Sequence, residues 1–395
     1  MSRILFAWEL GEGLGHVTVQ RALALGLAER GHDVLLAARN VRSARTAFSD
    51  TGLAYVQCPY QTWRPPPIFQ PLRSYAHLLH SVSFNSVEGL ISLLSAWQRL
   101  FDLFDPDLIV FDHSPTALLA SRTRGAKRAL VGSGFFGPPP VSPLPSLRPG
   151  ERVSPDLLAR DEATVLALVN DSLRRTGASE LSRLADLYAQ ADLSVLATYE
   201  ELDHFGPRSG VRYWGVQASC PAVTPTWPEG IGKRIYGYLK PMPGLSELLG
   251  TLGTLGAPVL VYGSWVNDEA VKRFGTRTLR LERQPLDLQR VAEECDLAIL
   301  NGTHGTTAEL LLRGVPVLQL PIFVEQALTA ARTAELGAGL MFNSKETTRV
   351  AAGLNRMLSG EEYREAAGRF ASKYAGTDST AIAAQIVEAL DSLVG

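Results

Sequence analysis

The sequence predicts an α/β protein of two doubly wound parallel-sheet domains facing a central cleft. Three observations lead there. Short β-branched and apolar runs alternate with helical patterns through both halves, the mark of strands wrapped by crossover helices. The 395 residues suit two domains of near-equal size. A break at 216–233, carrying Pro221, Pro225, Pro228, Gly230 and Gly232 with little periodicity, divides the halves.

The first half predicts strands at 4–9, 33–37, 54–58, 108–112, 129–132, 193–197 and 212–215. The second predicts strands at 234–238, 258–262, 278–281, 297–300 and 317–320. The expected organisation is a first domain over 1–218, a linker over 219–232, a second domain over 233–374, and a C-terminal helix within 375–395 that packs back on the first domain. Proline-rich loops at 61–71 and 134–155 interrupt the first half, and loops this long are usually functional or mobile.

Composition narrows the function classes. Hydrophobic residues make up 46% and charged residues 20%, too apolar for disorder. Lys plus Arg number 38 against 40 Asp plus Glu, so no basic excess points to nucleic acid. Phosphate binding must then be local, through helix ends and a few side chains. Cys58, Cys220 and Cys295 have neither zinc nor disulfide spacing, which fits a reducing, cytoplasmic setting. The opening run Met1-Ser2-Arg3-Ile4-Leu5-Phe6 reads as a buried strand rather than a signal peptide. No apolar stretch reaches the roughly 18 residues of a membrane helix.

Strand one leads into Gly11-Glu12-Gly13-Leu14-Gly15-His16 and then a helix. Such a loop lets a ligand approach the backbone and the helix N-terminus. It is not a dinucleotide fingerprint, because His16 takes the third glycine's place and no acidic residue ends strand two. A neutral imidazole can take a proton from a hydroxyl near neutral pH. His16 is therefore a candidate base, oriented by Asp112 at the end of strand four. The bland alternatives are that His16 donates to a loop carbonyl, and that Asp112 or Ser114 caps the helix opening at Pro115.

In the second half the strand 297–300 runs into Asn301-Gly302-Thr303-His304-Gly305-Thr306-Thr307-Ala308-Glu309. Two glycines and three threonines opening a helix offer N–H groups and hydroxyls to a diphosphate. Lysine is missing from the loop, so it is not a P-loop. Thr306 and Glu309 also match a capping box, which competes with a ligand role for Glu309. Glu325 and Gln326 open a later helix, as sugar ligands or as ordinary first-turn residues.

At this point the chain resembles nucleotide-sugar-dependent glycosyltransferases of the UDP-glycosyltransferase superfamily. The likeness rests on Gly302, Gly305-Thr306-Thr307, Glu309, Gly314-Val315-Pro316, Pro321, Glu325-Gln326, Ala331-Arg332 and Leu336-Gly337-Ala338-Gly339, in order and spacing. Gly13-x-Gly15-His16 resembles the family's opening segment. The resemblance implies a GT-B fold of two Rossmann-like domains. It implies that His16 deprotonates the acceptor and Asp112 orients it. Gly302, Thr306 and Thr307 would hold the diphosphate, in one loop with Thr303, His304 and Gly305. Glu309 would hold the ribose, Glu325 with Gln326 the sugar, and Gln284-Pro285-Leu286 would face the base. Asn301 stands where the family usually has a phosphate-contacting His, and Thr303 replaces a Gly; Asn can still donate, without charge.

The expected activity is metal-independent inverting transfer from a UDP- or dTDP-sugar to an acceptor hydroxyl, with no cofactor. Rival expectations are a nucleotide-sugar 2-epimerase and a GT-B-shaped binding protein without catalysis. The acceptor, a small molecule or a lipid-linked one, is expected beside Glu12, Gly13, Gly15, Trp63 and Phe135. The aromatics of the proline-rich loops suggest an apolar acceptor or weak peripheral membrane contact, with local packing as the alternative.

Overall fold

The computed structural model describes residues 1–11, 15–62, 65–148, 150–217 and 222–395. It forms two compact units: Met1–Thr198 with Arg208–Gly215 and Thr380–Gly395, and Tyr199–Pro207 with Val216–Ser379.

The first unit runs β1 (Arg3–Trp8), α1 (Gly15–Glu29), β2 (Asp33–Ala38), α2 (Val41–Phe48), β3 (Ala54–Gln57), α3 (Tyr75–Val82), α4 (Val87–Phe104), β4 (Leu108–Asp112), α5 (Pro115–Ser121), β5 (Lys127–Gly132), α6 (Pro155–Arg175), α7 (Asp186–Ala189) and β6 (Leu193–Leu196). Its parallel sheet has the order β3-β2-β1-β4-β5-β6. Central β1 is buried from Ile4 to Trp8, which is why it reads as one apolar run rather than an alternation. Trp8 pairs in register with Asp112, so the carboxyl ends of β1 and β4 lie side by side. The chain reverses direction across the sheet there, and open α/β sheets bind ligands at such a switch point.

The second unit contains β7 (Ile235–Tyr238), α8 (Leu245–Gly253), β8 (Val259–Tyr262), α9 (Asp268–Phe274), β9 (Leu279–Glu282), α10 (Leu288–Glu294), β10 (Leu297–Leu300), α11 (His304–Leu311), β11 (Val317–Gln319), α12 (Val324–Glu335), β12 (Gly339–Met341), α13 (Thr347–Ser359) and α14 (Glu362–Lys373). Its parallel sheet repeats the same winding, β9-β8-β7-β10-β11-β12, with the switch between β7 and β10.

The last helix, α15 (Ser379–Asp391), buries Ile382, Ile386, Val387 and Leu390 in the first unit's core beside Leu23, Leu27 and Phe48. Each such side chain contributes about 1.5–3 kcal/mol. A side chain at Gly26 would run into Val387, so the glycine permits the close approach of α1 and α15. Arg30 and His32 both pair with Asp391, at 2.6 and 2.7 Å. Among the described residues no helix is long and apolar enough to cross a membrane.

One strand expectation is corrected and one strand is added. Residues 212–215 make a single parallel bridge, Leu196 to Tyr213, because Gly215 turns with a positive φ and Arg212 stacks on Trp214 instead of continuing a ladder. The edge strand β12 has no counterpart in the sequence reading: it is three residues long and opens on a glycine, too little for a strand signal.

Candidate functional sites at the two switch points

In the first unit α1 starts at Gly15, which is exposed, and carries His16 next to the end of β4. His16 Nδ1 lies 2.9 and 3.1 Å from the two carboxylate oxygens of Asp112. Asp112 is buried, and Gln20, one turn further along α1, donates from Nε2 to its Oδ2 at 2.7 Å. With the Nδ1 proton committed to Asp112, the Nε2 lone pair is the basic one. The ring stacks on Trp8 at 5.2 Å between centroids and meets Phe136 at 4.9 Å.

The helix after Asp112 is capped neither by Asp112 nor by Ser114. Ser114 Oγ donates to the Ala7 carbonyl at 2.7 Å. Buried Glu9 instead accepts the N–H of Thr116 at 3.0 Å and that of Ala117 at 3.4 Å. Burial pushes its carboxyl up to about 7, against the lowering by those N–H groups. The Leu10 N–H donates to the His113 carbonyl at 3.1 Å. These bonds extend the β1–β4 pairing past the strand ends and fix the turn that bears Asp112.

His113 occupies the left-handed region at φ 47°. Among the described residues neither of its ring nitrogens has a hydrogen-bond partner, and burial pushes the imidazole down to about 3. It stacks on Phe136 at 4.7 Å. Phe135, expected on the acceptor side, is instead core: it is buried, edge-on to Tyr75 and His113. Phe136, one residue on and half-buried, is the ring against His16, because alternate side chains of the turn face opposite ways. The expected Glu12, Gly13 and Trp63 lie outside the described residues.

In the second unit β10 ends at its switch point and Asn301, Gly302 and Thr303 lead into α11. Gly302 has φ 86°, and a Cβ there would strike the Gln326 carbonyl, so only glycine fits. The helix begins at His304, two residues before the expected Thr306 cap, and the side chain of its N-cap residue Thr303 makes no cap bond. Thr306 therefore lies inside the helix rather than at its N-cap, so the expected Thr306–Glu309 box does not sit at the helix start. Such an end suits an anion. Thr303, Gly305, Thr306 and Glu309 are half-buried around it. His304 is buried, its ring nitrogens without a hydrogen-bond partner among the described residues, 4.9 Å from the His204 ring, and burial pushes it down to about 4.

Several donor-side expectations change. Asn301 is buried, and its amide is spent internally: Oδ1 accepts the Lys240 N–H at 2.7 Å and Nδ2 donates to the Leu320 carbonyl at 2.8 Å. Thr307 is fully buried and accepts from Gln319 Nε2 at 2.9 Å. Gln326 caps α12, its Oε1 accepting the N–H groups of Ile322 and Phe323, while Glu325 stays half-buried at the helix start. Leu286 packs in the core with Leu288 and Val291, which leaves Gln284 and Pro285 as the exposed part of that loop.

Sequence reasoning missed Glu9, Gln20 and Lys240. Gln20 had a signal, since it breaks the apolar stripe of Val17, Leu23, Ala24 and Leu27 on α1. Lys240 follows β7, and its ammonium sits 5.8 Å from the Phe323 ring at the start of α12.

Residues 247–390 match the family described as erythromycin biosynthesis protein CIII-like, C-terminal domain. A PGL/p-HBAD biosynthesis glycosyltransferase of Mycobacterium tuberculosis (strain ATCC 25177 / H37Ra) is 26% identical over 310 residues, spanning 74% of this chain and 72% of that protein. Among solved structures, CalG4, the calicheamicin glycosyltransferase, has a TM-score of 0.70 at 16% identity, covering 100% of this chain and 98% of that one. The glycosyltransferase VinC in complex with dTDP has a TM-score of 0.67 at 17% identity, covering 99% and 100%. The fold is therefore GT-B. The chain is a glycosyltransferase.

Proposed function

We propose that the chain is an inverting glycosyltransferase that moves a sugar from a UDP- or dTDP-sugar to an acceptor hydroxyl without a metal ion. The observation that carries this reading is the His16–Asp112 pair at the switch point of the first unit. His16 Nε2 takes the acceptor proton as the acceptor oxygen bonds to the anomeric carbon. The bond from that carbon to the phosphate oxygen breaks, the nucleoside diphosphate leaves, and the configuration inverts. Asp112 holds the imidazole and stabilises the imidazolium until its proton passes to solvent. The start of α11, with Gly302, Thr303, Gly305 and Thr306, stabilises charge on the leaving group through preorganised N–H dipoles. Glu309 would serve the ribose, Glu325 the sugar, and Gln284 with Pro285 the base. The dTDP bound by VinC supports a thymidine or uridine diphosphate donor. The acceptor is a small molecule or a lipid-linked one, and a cytoplasmic setting fits the cysteine usage.

Incubation with a panel of UDP- and dTDP-sugars and hydroxylated acceptors, with and without EDTA, tests this. The expected product has the anomeric configuration opposite to the donor's, and chelation leaves turnover unchanged. Retention of configuration, or loss of turnover with EDTA that a divalent ion restores, would contradict it.

A further inference from the structure

We propose that Gln20 is a positioning residue of the transfer reaction, holding the Asp112 carboxylate in the orientation that serves His16. The inference rests on the reading of His16 as base. His16 and Gln20 are four residues apart on α1, so they share one helix face. Both reach the same carboxylate: His16 Nδ1 at 2.9 Å and Gln20 Nε2 at 2.7 Å from Oδ2. A carboxylate gripped by one donor can rotate about its last bond. One gripped by two donors fixed on a single helix keeps both oxygens toward the imidazole.

The amide orientation is dictated by this contact. The opposite flip would set the Gln20 carbonyl oxygen against a carboxylate oxygen. In the orientation present, Oε1 is buried with no hydrogen-bond partner among the described residues. A buried, unsatisfied carbonyl destabilises the fold. Gln20 also occupies an apolar stripe, between Val17 and Leu23, that an apolar side chain would fill without that cost. A residue that weakens its helix's packing while completing a contact to the base's partner follows the trade of stability for function seen at active sites.

Gln20→Met tests this, because it keeps the side chain's length and removes the amide. The expected result is an unchanged or higher Tm, with kcat lowered roughly ten- to a hundredfold, the scale of a misplaced reacting group. KM for the donor should stay within about twofold, and the acid limb of the kcat profile should move. A lower Tm with wild-type kcat per folded molecule would overturn the inference, since Gln20 would then be only structural. Unchanged kcat, KM and pH profile would overturn it too. His16→Ala in parallel separates the two claims. If that variant keeps turnover, the base reading fails and the role of Gln20 falls with it. If it loses turnover while Gln20→Met does not, only the inference about Gln20 fails.

Discussion

The Gly11 backbone lies against the imidazole of His16 so closely that a Cβ on Gly11 would overlap Nε2. The glycine also sits at φ 92°, a conformation L side chains rarely adopt. Gly11→Ala should therefore displace the ring at its basic nitrogen. We expect kcat to fall roughly a hundredfold, the usual effect of a misplaced reacting group, with donor affinity near wild type. Steady-state kinetics with calorimetric titration of the nucleotide checks this, and unchanged kcat would argue against a reacting role for Nε2.

Thr306 and Thr307 are adjacent but face opposite environments. Thr306→Val should weaken nucleotide binding several-fold and leave Tm unchanged. Thr307→Val should do the reverse, because it leaves the buried Gln319 amide without its acceptor and costs about 1–3 kcal/mol. Nucleotide titration and thermal melts of both variants decide the matter. Lost affinity confined to Thr307→Val would move the phosphate site.

Glu9 imposes a pH dependence on stability. Burial raises its carboxyl from 4.5 to about 7 in the folded chain. The folded state thus binds the proton more tightly than the unfolded state, so stability is full below about pH 4.5 and falls as pH rises toward 7. The loss is about 3 kcal/mol at roughly 1.4 kcal/mol per unit. Glu9→Gln keeps the shape and removes the titration. Denaturant melts between pH 5 and 8 should slope downward for the wild type and less steeply for the variant; equal slopes would show that Glu9 stays ionised.

Much of this architecture is legible in the sequence. The continuous apolar runs of β1, β4 and β10 announce parallel strands covered on both faces, and the glycines after β1 and β10 mark the two switch points. His16 and Asp112 are readable as a pair because His16 opens the helix after the β1 glycine loop and Asp112 ends β4. What periodicity cannot show is which way a polar side chain turns. Asn301, Thr307 and Gln326 have the right chemistry for a ligand, yet each faces inward because a nearby backbone or amide group needs a partner. Phe135 turns out to be core and Phe136 to meet His16, because one residue of register in a turn decides which ring faces inward. Glu9 was hidden because capping a helix from another strand is a tertiary contact, and β12 because three residues carry no pattern.

If His16 is the base and the second unit holds the donor's diphosphate, the two functions separate on mutation. The most direct measurement is single-turnover transfer by His16→Ala, paired with calorimetric titration of UDP and dTDP. Turnover should fall roughly a hundredfold or more, the scale of a lost general base, with nucleotide affinity near wild type. A folded His16→Ala variant that keeps most of its turnover would contradict it.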